Sequence, residues 1–186
     1  MRKTIFIWMI IAGIGVIFSC SNSGEKTTAE SRRASKKILQ QADGTISLKL
    51  EKADCYSDMS QPSVNTAEWY VVVSKSGRFN VWLSSATKDT TMLHYNNDVL
   101  VTVQDARLMA NPQCDKIIRN SGDVSYPYFK ADSFLGSMYI QDTGVFNIQV
   151  ISDGIIPTDY RGEELNGADI TKLLSISFKP ETSQQR

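Results

Sequence analysis

The chain has 186 residues, 20 basic and 20 acidic side chains and a single histidine. Without a cationic surplus it has no drive towards a polyanionic backbone, so nucleic acid is not an expected partner. Apolar residues make up 41% of the sequence, enough for one core of ordinary domain size.

The first 19 residues read as a secretory signal peptide. Arg2 and Lys3 give a positive start, residues 5–18 are apolar or small, and IFSC closes the run at Cys20. A bilayer span takes about 20 apolar residues, so the run is short for a transmembrane helix. An uncleaved N-terminal anchor is the alternative, and both readings place the domain outside the cytoplasm. The closing tetrapeptide resembles a lipobox, although Phe18 departs from its usual small or aliphatic residue. The resemblance implies a mature protein beginning at a lipidated Cys20. Ser21, where Asp would signal inner-membrane retention, implies an outer-membrane lipoprotein of the cell envelope. The leader carries two of the basic residues and none of the acidic ones, which leaves the mature chain slightly acidic.

Residues 20–43 are rich in Ser, Thr, Lys, Glu and Arg and are expected to form a flexible tether, with room for a short helix in 31–42. From Thr45 the apolar period becomes two. Ile46, Leu48 and Leu50 alternate with polar residues. Residues 68–73 (EWYVVV) and 78–83 (RFNVWL) flank a Gly-containing turn and predict a hairpin. On its second strand Phe79, Val81 and Leu83 share one face, and Arg78, Asn80 and Trp82 share the other. A second hairpin is expected from 91–95 and 99–103, and a third from 136–141 and 145–152. Weaker strands fall at 126–129, where Pro127 implies an edge, and at 175–178. Residues 163–174 predict a short C-terminal helix with Asp169 near its start, and 181–186 a disordered tail. Many short strands with turn signals between them predict one all-β antiparallel sandwich over 44–180.

Residues 67–86 (AEWYVVVSKSGRFNVWLSSA), with LEKAD at 50–54 upstream and DTGVFNI at 142–148 downstream, resemble the galactose-binding-like β-sandwiches. The similarity runs over about 45–155. It implies a jelly-roll fold, an acidic first strand at 50–54, and a non-catalytic module that binds glycan or accompanies glycan-active proteins. It also points to Glu51 and Asp153 as positions where a structural calcium would bind.

Trp82 is the leading ligand-binding candidate, because an exposed indole stacks on the apolar face of a pyranose ring. Arg78 and Asn80 share its face and offer donors to sugar hydroxyls. Tyr126 and Tyr128, around Pro127, are candidates for a loop platform. A partner envelope protein is the alternative ligand. A buried face or a solvated strand would explain the same residues without any ligand.

No catalytic group is expected. The chain has no G-x-S-x-G elbow and no C-x-x-C, and His94 falls in an expected strand. No carboxylate pair stands out as a glycosidase dyad, so a small hydrolase is the weakest of the three readings. Cys55 and Cys114 remain after Cys20. An oxidising compartment allows a disulfide between them, and two separate thiols are equally open.

Overall fold

A computed structural model describes residues 37–58, 60–156 and 171–181. The expected signal peptide, Cys20, most of the tether, most of the expected C-terminal helix and all of the tail but Glu181 lie outside them. The chain forms two facing sheets, so the all-β sandwich is observed. One is a six-stranded sheet of β1 (Ile38–Leu39), β4 (Thr66–Val73), β10 (Gly144–Ile151), β6 (Val99–Val103) and β7 (Ala106–Ala110), with β3 (Asp54–Tyr56) also paired to β4. The other is a five-stranded sheet in the order β2 (Ile46–Lys49), β11 (Lys172–Pro180), β5 (Gly77–Thr87), β9 (Phe129–Ile140) and β8 (Lys116–Ile118). Pairing is antiparallel throughout except between β1 and β4.

Period-two patterning makes these strands and sorts their faces. β4 buries Ala67, Trp69, Val71 and Val73, while β5 buries Phe79, Val81 and Leu83, as the alternation predicts. These side chains meet Ile148, Val150, Leu173, Ile176 and Phe178 in one core between the layers. Trp69 also ties the layers together. Its indole N–H donates to the carbonyl of Lys49 on β2, at 2.8 Å. A second buried polar contact joins the hydroxyls of Ser85 and Tyr95, 2.8 Å apart, and burial pushes the Tyr95 phenol well above its ordinary pKa.

The three expected hairpins do not form. β4 and β5 lie in different sheets, so Ser74–Lys75–Ser76 carries the chain from one layer to the other. The same holds for β9 and β10. Apolar alternation marks which residues are buried but does not identify the strand that pairs with them. Residues 91–95 form no strand, and β6 pairs with β7, which the sequence reading missed. Residues 126–128 form a turn with a cis Tyr126–Pro127 peptide instead of an edge strand. At the C-terminus, residues 172–174 open β11 instead of closing a helix. The 50–54 segment is a short 3-10 turn (Leu50–Lys52) followed by β3, so no acidic first strand is present.

Strand pairing includes residues before 44. Ile38 and Leu39 pair with Val71 and Val72. The Gln40 side chain then clamps the layer-crossing turn. Its Oε1 accepts the N–H groups of Ser74 and Lys75 at 2.8 and 2.7 Å, and its Nε2 donates to the Gly44 carbonyl at 2.7 Å.

Candidate functional site

The outer face of the five-stranded sheet carries the candidate site, and the strand register builds it row by row. Trp82 on β5 lies opposite Phe134 on β9 and Ser177 on β11. The next row sets Asn80 between Ser137 and Lys179, and the one beyond pairs Arg78 with Tyr139. On the other side, Ser84 lies between Asp132 and Ser175. The Trp82 and Phe134 rings have centroids 5.3 Å apart and tilt at 48°. Trp82 is half-buried, and Phe134 and Tyr139 keep 45% and 55% of their surface, so these rings face outwards. The Ser137 hydroxyl donates to Asn80 Oδ1 at 2.7 Å, and Ser84 donates to Asp132 Oδ1 at 2.6 Å. The Lys179 ammonium stands 5.6 Å from the Trp82 ring centroid.

A bulge aims Phe134 at this face. The β5–β9 register shifts between Val81 and Trp82, which inserts Leu135 as an extra residue. Gly136 takes φ +133°, and Leu108 of the opposite sheet closes over it. Side chains before the bulge face out at even positions and those after it at odd positions, so Phe134 and Ser137 share the outer face.

The loop between β8 and β9 walls one end of the face. Asp123 bonds Lys130 of β9 at 2.7 Å and lies 3.8 Å from Lys49 of β2. These two strands lie on opposite sides of β5 and β11, so the loop crosses in front of them. The Lys130 ammonium holds the Asp123 carboxyl below its usual pKa. Tyr126 stands at this loop with 92% of its surface exposed. Tyr128 is half-buried, with the Lys88 ammonium 5.3 Å from its ring. By register Phe129 faces Thr87, so the two tyrosines border the far end of β5 rather than Trp82.

The structure therefore brings Trp82, Asn80 and Arg78 to one face and sets Tyr126 and Tyr128 apart from them. Arg78 is engaged with Glu181, 3.4 Å away. Sequence reasoning missed Phe134, Ser137, Tyr139 and Lys179. The alternation of residues 129–135 was the signal for Phe134, and the bulge hid its phase.

The remaining candidates fall elsewhere. No S–S bond joins Cys55, on β3, to Cys114 in the loop after β7. Glu51 lies on the 3-10 turn. Asp153 lies after β10, where its Oδ2 accepts the Asn96 N–H at 2.7 Å and its Oδ1 is buried without a partner. A calcium site takes roughly six to eight oxygens, and among the described residues no three His, Cys, Asp or Glu side chains converge. His94 Nε2 is 3.3 Å from Asp89 Oδ2. Burial, reinforced by Asp89 and Asp115, pushes the nearby Cys114 thiol up, the reverse of what a nucleophilic cysteine requires.

No family model matches the chain, and no curated protein matches it. Among solved structures it is similar to an α-L-fucosidase from Vibrio sp. strain EJY3, at 18% identity and a TM-score of 0.60. That match covers 80% of this chain and 24% of the fucosidase, so the chain spans about a quarter of that protein's length. A Podospora anserina GH26-CBM35 β-(1,4)-mannanase gives 10% identity and a TM-score of 0.44, over 77% of this chain and 29% of the mannanase. The insecticidal crystal protein Cry2Aa gives 13% and 0.45, over 76% of this chain and 22% of its own. The fucosidase match shows a shared sandwich fold.

Proposed function

We propose that this protein is a non-catalytic glycan-binding module, secreted and held at the cell envelope through a lipidated Cys20. The observation that carries the reading is the outward Trp82–Phe134 pair, bordered by the Asn80 amide and the Ser137 hydroxyl. Stacked or tilted rings supply an apolar platform for a sugar face, and the polar groups beside them orient hydroxyls. Most of the surrounding surface is open, so few groups are desolvated on binding and each contact is weak. A glycan-active protein of similar fold, the fucosidase, is in keeping with this reading. Anchoring rests on the leader alone, since stable attachment takes more than one acyl chain and the lipobox resemblance implies a diacylated cysteine.

Calorimetric titration of the domain against a panel of plant and algal polysaccharides tests the proposal. Binding by the wild type and its loss in Trp82→Ala, with a thermal midpoint lowered by only a few degrees and the protein still folded at the titration temperature, is the expected result. No binding to any member of the panel overturns it. For the anchor, mass spectrometry of the protein purified from a bacterial host that processes lipoproteins reads acyl chains on Cys20 or their absence.

A second reading, a protein-interaction subunit, is favoured by one other feature. The outer face of the six-stranded sheet carries the cross-strand row Tyr56, Thr66, Ile151, Leu100 and Met109, with Tyr56 and Met109 at 59% and 68% exposure. No binding to any polysaccharide of the panel, together with self-association that is lost in Met109→Glu, would select it.

A further inference from the structure

We infer that the site on the five-stranded sheet extends past Trp82 into a lysine-lined groove along the β2 edge, and that its ligand is an anionic polysaccharide. The inference rests on the glycan reading and adds the chemical class of the ligand. The row that holds the aromatic pair continues from Trp82 through Ser177 on β11 to Ser47 on β2. Neighbouring strands lie about 4.8 Å apart, so Ser47 is about 10 Å from Trp82 across a floor of two small hydroxyl side chains. Ser47 is itself a wall of a groove of about 640 Å³ between β1 and β2, lined also by Lys37, Lys49 and Lys52. A second hollow of about 340 Å³ adjoins it, shares Lys49 and Glu51, and adds Lys172.

The charges in these two hollows do not balance. Four lysines face Glu51 and Asp123, and Asp123 already shares its charge with Lys130. Lys37, Lys49 and Lys52 are exposed, so their ammonium groups remain hydrated and adjustable, which suits the repeated charges of a flexible polymer. The neutrality of the whole chain conceals this local excess. Lys179 adds one more cation at the aromatic end, 5.6 Å from the Trp82 ring centroid. A neutral sugar stacking on that ring must displace the ammonium, whereas a sugar bearing a carboxylate or sulfate keeps it as a partner. The serine floor leaves a shallow path between the two ends and offers hydroxyls along it.

Polygalacturonate, κ-carrageenan and a neutral galactomannan, each titrated at low and at high salt, test the inference. The wild type is expected to bind at least one of the two polyanions more tightly than galactomannan, with affinity falling as salt rises. Which polyanion binds identifies the anionic group as carboxylate or sulfate. In the double variant Lys37→Gln/Lys52→Gln, polyanion affinity falls about fivefold, two exposed ion contacts' worth, while galactomannan binding is unchanged. Lys179→Ala is expected to lower polyanion affinity and raise that for galactomannan. Trp82→Ala weakens both, which separates this site from diffuse charge attraction. Equal, salt-insensitive binding of all three polymers overturns the anionic assignment and leaves the glycan reading standing. Polyanion binding that survives Trp82→Ala overturns the extended site. Binding of none of the three, nor of any panel polysaccharide, removes both.

Discussion

Trp82 and Phe134 face each other across β5 and β9 with ring centroids 5.3 Å apart, and they do so because Leu135 is inserted between Phe134 and Gly136. A tilted aromatic pair at this separation contributes about 0.5–1.5 kcal/mol beyond its buried area. The coupling is measurable as the non-additive part of a Trp82→Ala, Phe134→Ala and double-variant cycle in urea. Each single variant is expected to lose little stability, since both rings are partly exposed, and to lose most of the glycan affinity. A cycle that closes to zero would make the rings independent, and the platform would then be Trp82 alone.

Gly136 makes the bulge tolerable. At φ +133° a side chain is strained, and a Cβ there would come 3.0 Å from Leu108 Cδ1 of the opposite sheet. Gly136→Ala is expected to cost about 1–3 kcal/mol in chemical denaturation. Because the bulge sets the direction of Phe134, the same variant should weaken glycan binding under conditions where it remains folded. Full stability in Gly136→Ala would show that the bulge does not depend on glycine.

How far the site was legible follows from these same residues. The alternation in RFNVWL placed Trp82, Asn80 and Arg78 together on the outer face, and the register confirms it. In FKADSFLGSMYI the alternation breaks at Leu135–Gly136, so only the half after the break read as a strand and Phe134 was lost. Pairing was not legible. Strands adjacent in sequence cross between layers because the apolar faces of β4 and β5 are satisfied equally well by facing each other across the core. β1, β3 and β8 are too short to show a period, and in β7 the outward Met109 breaks the alternation of apolar and polar residues. Lys179 belongs to the site only through tertiary pairing with β5, which no local pattern encodes.

Gln40 places the start of the domain inside what reads as tether. Its side chain accepts two backbone N–H groups from the layer-crossing turn and donates to the Gly44 and Lys75 carbonyls. The contacts are largely exposed, so water replaces some of them when the side chain is removed. Gln40→Ala is expected to cost about 1–2 kcal/mol. Truncation to residue 44 removes β1 as well and should lower the unfolding midpoint below that of the chain truncated to residue 37. Equal midpoints for the two truncations would mean that β1 and Gln40 add nothing.

Asp89 predicts the acid limb of stability. The Thr91 hydroxyl and N–H donate to its Oδ1 at 2.6 and 2.7 Å, with Met92 N–H and His94 adding smaller contributions, and together they hold its pKa down at about 2. A folded-state pKa below the unfolded value means that the unfolded chain binds the proton more tightly. The contribution of Asp89 is therefore complete above the ordinary carboxylate value of 3.8 and is lost as pH falls through about 2. Asp123, lowered by Lys130, acts in the same direction. Unfolding midpoints of the wild type should decline across that window, and those of Asp89→Asn should decline less while starting lower at neutral pH. The carboxylate is partly exposed, so the difference shrinks in part as salt screens it. Parallel acid limbs for the two proteins would assign the decline to other carboxylates.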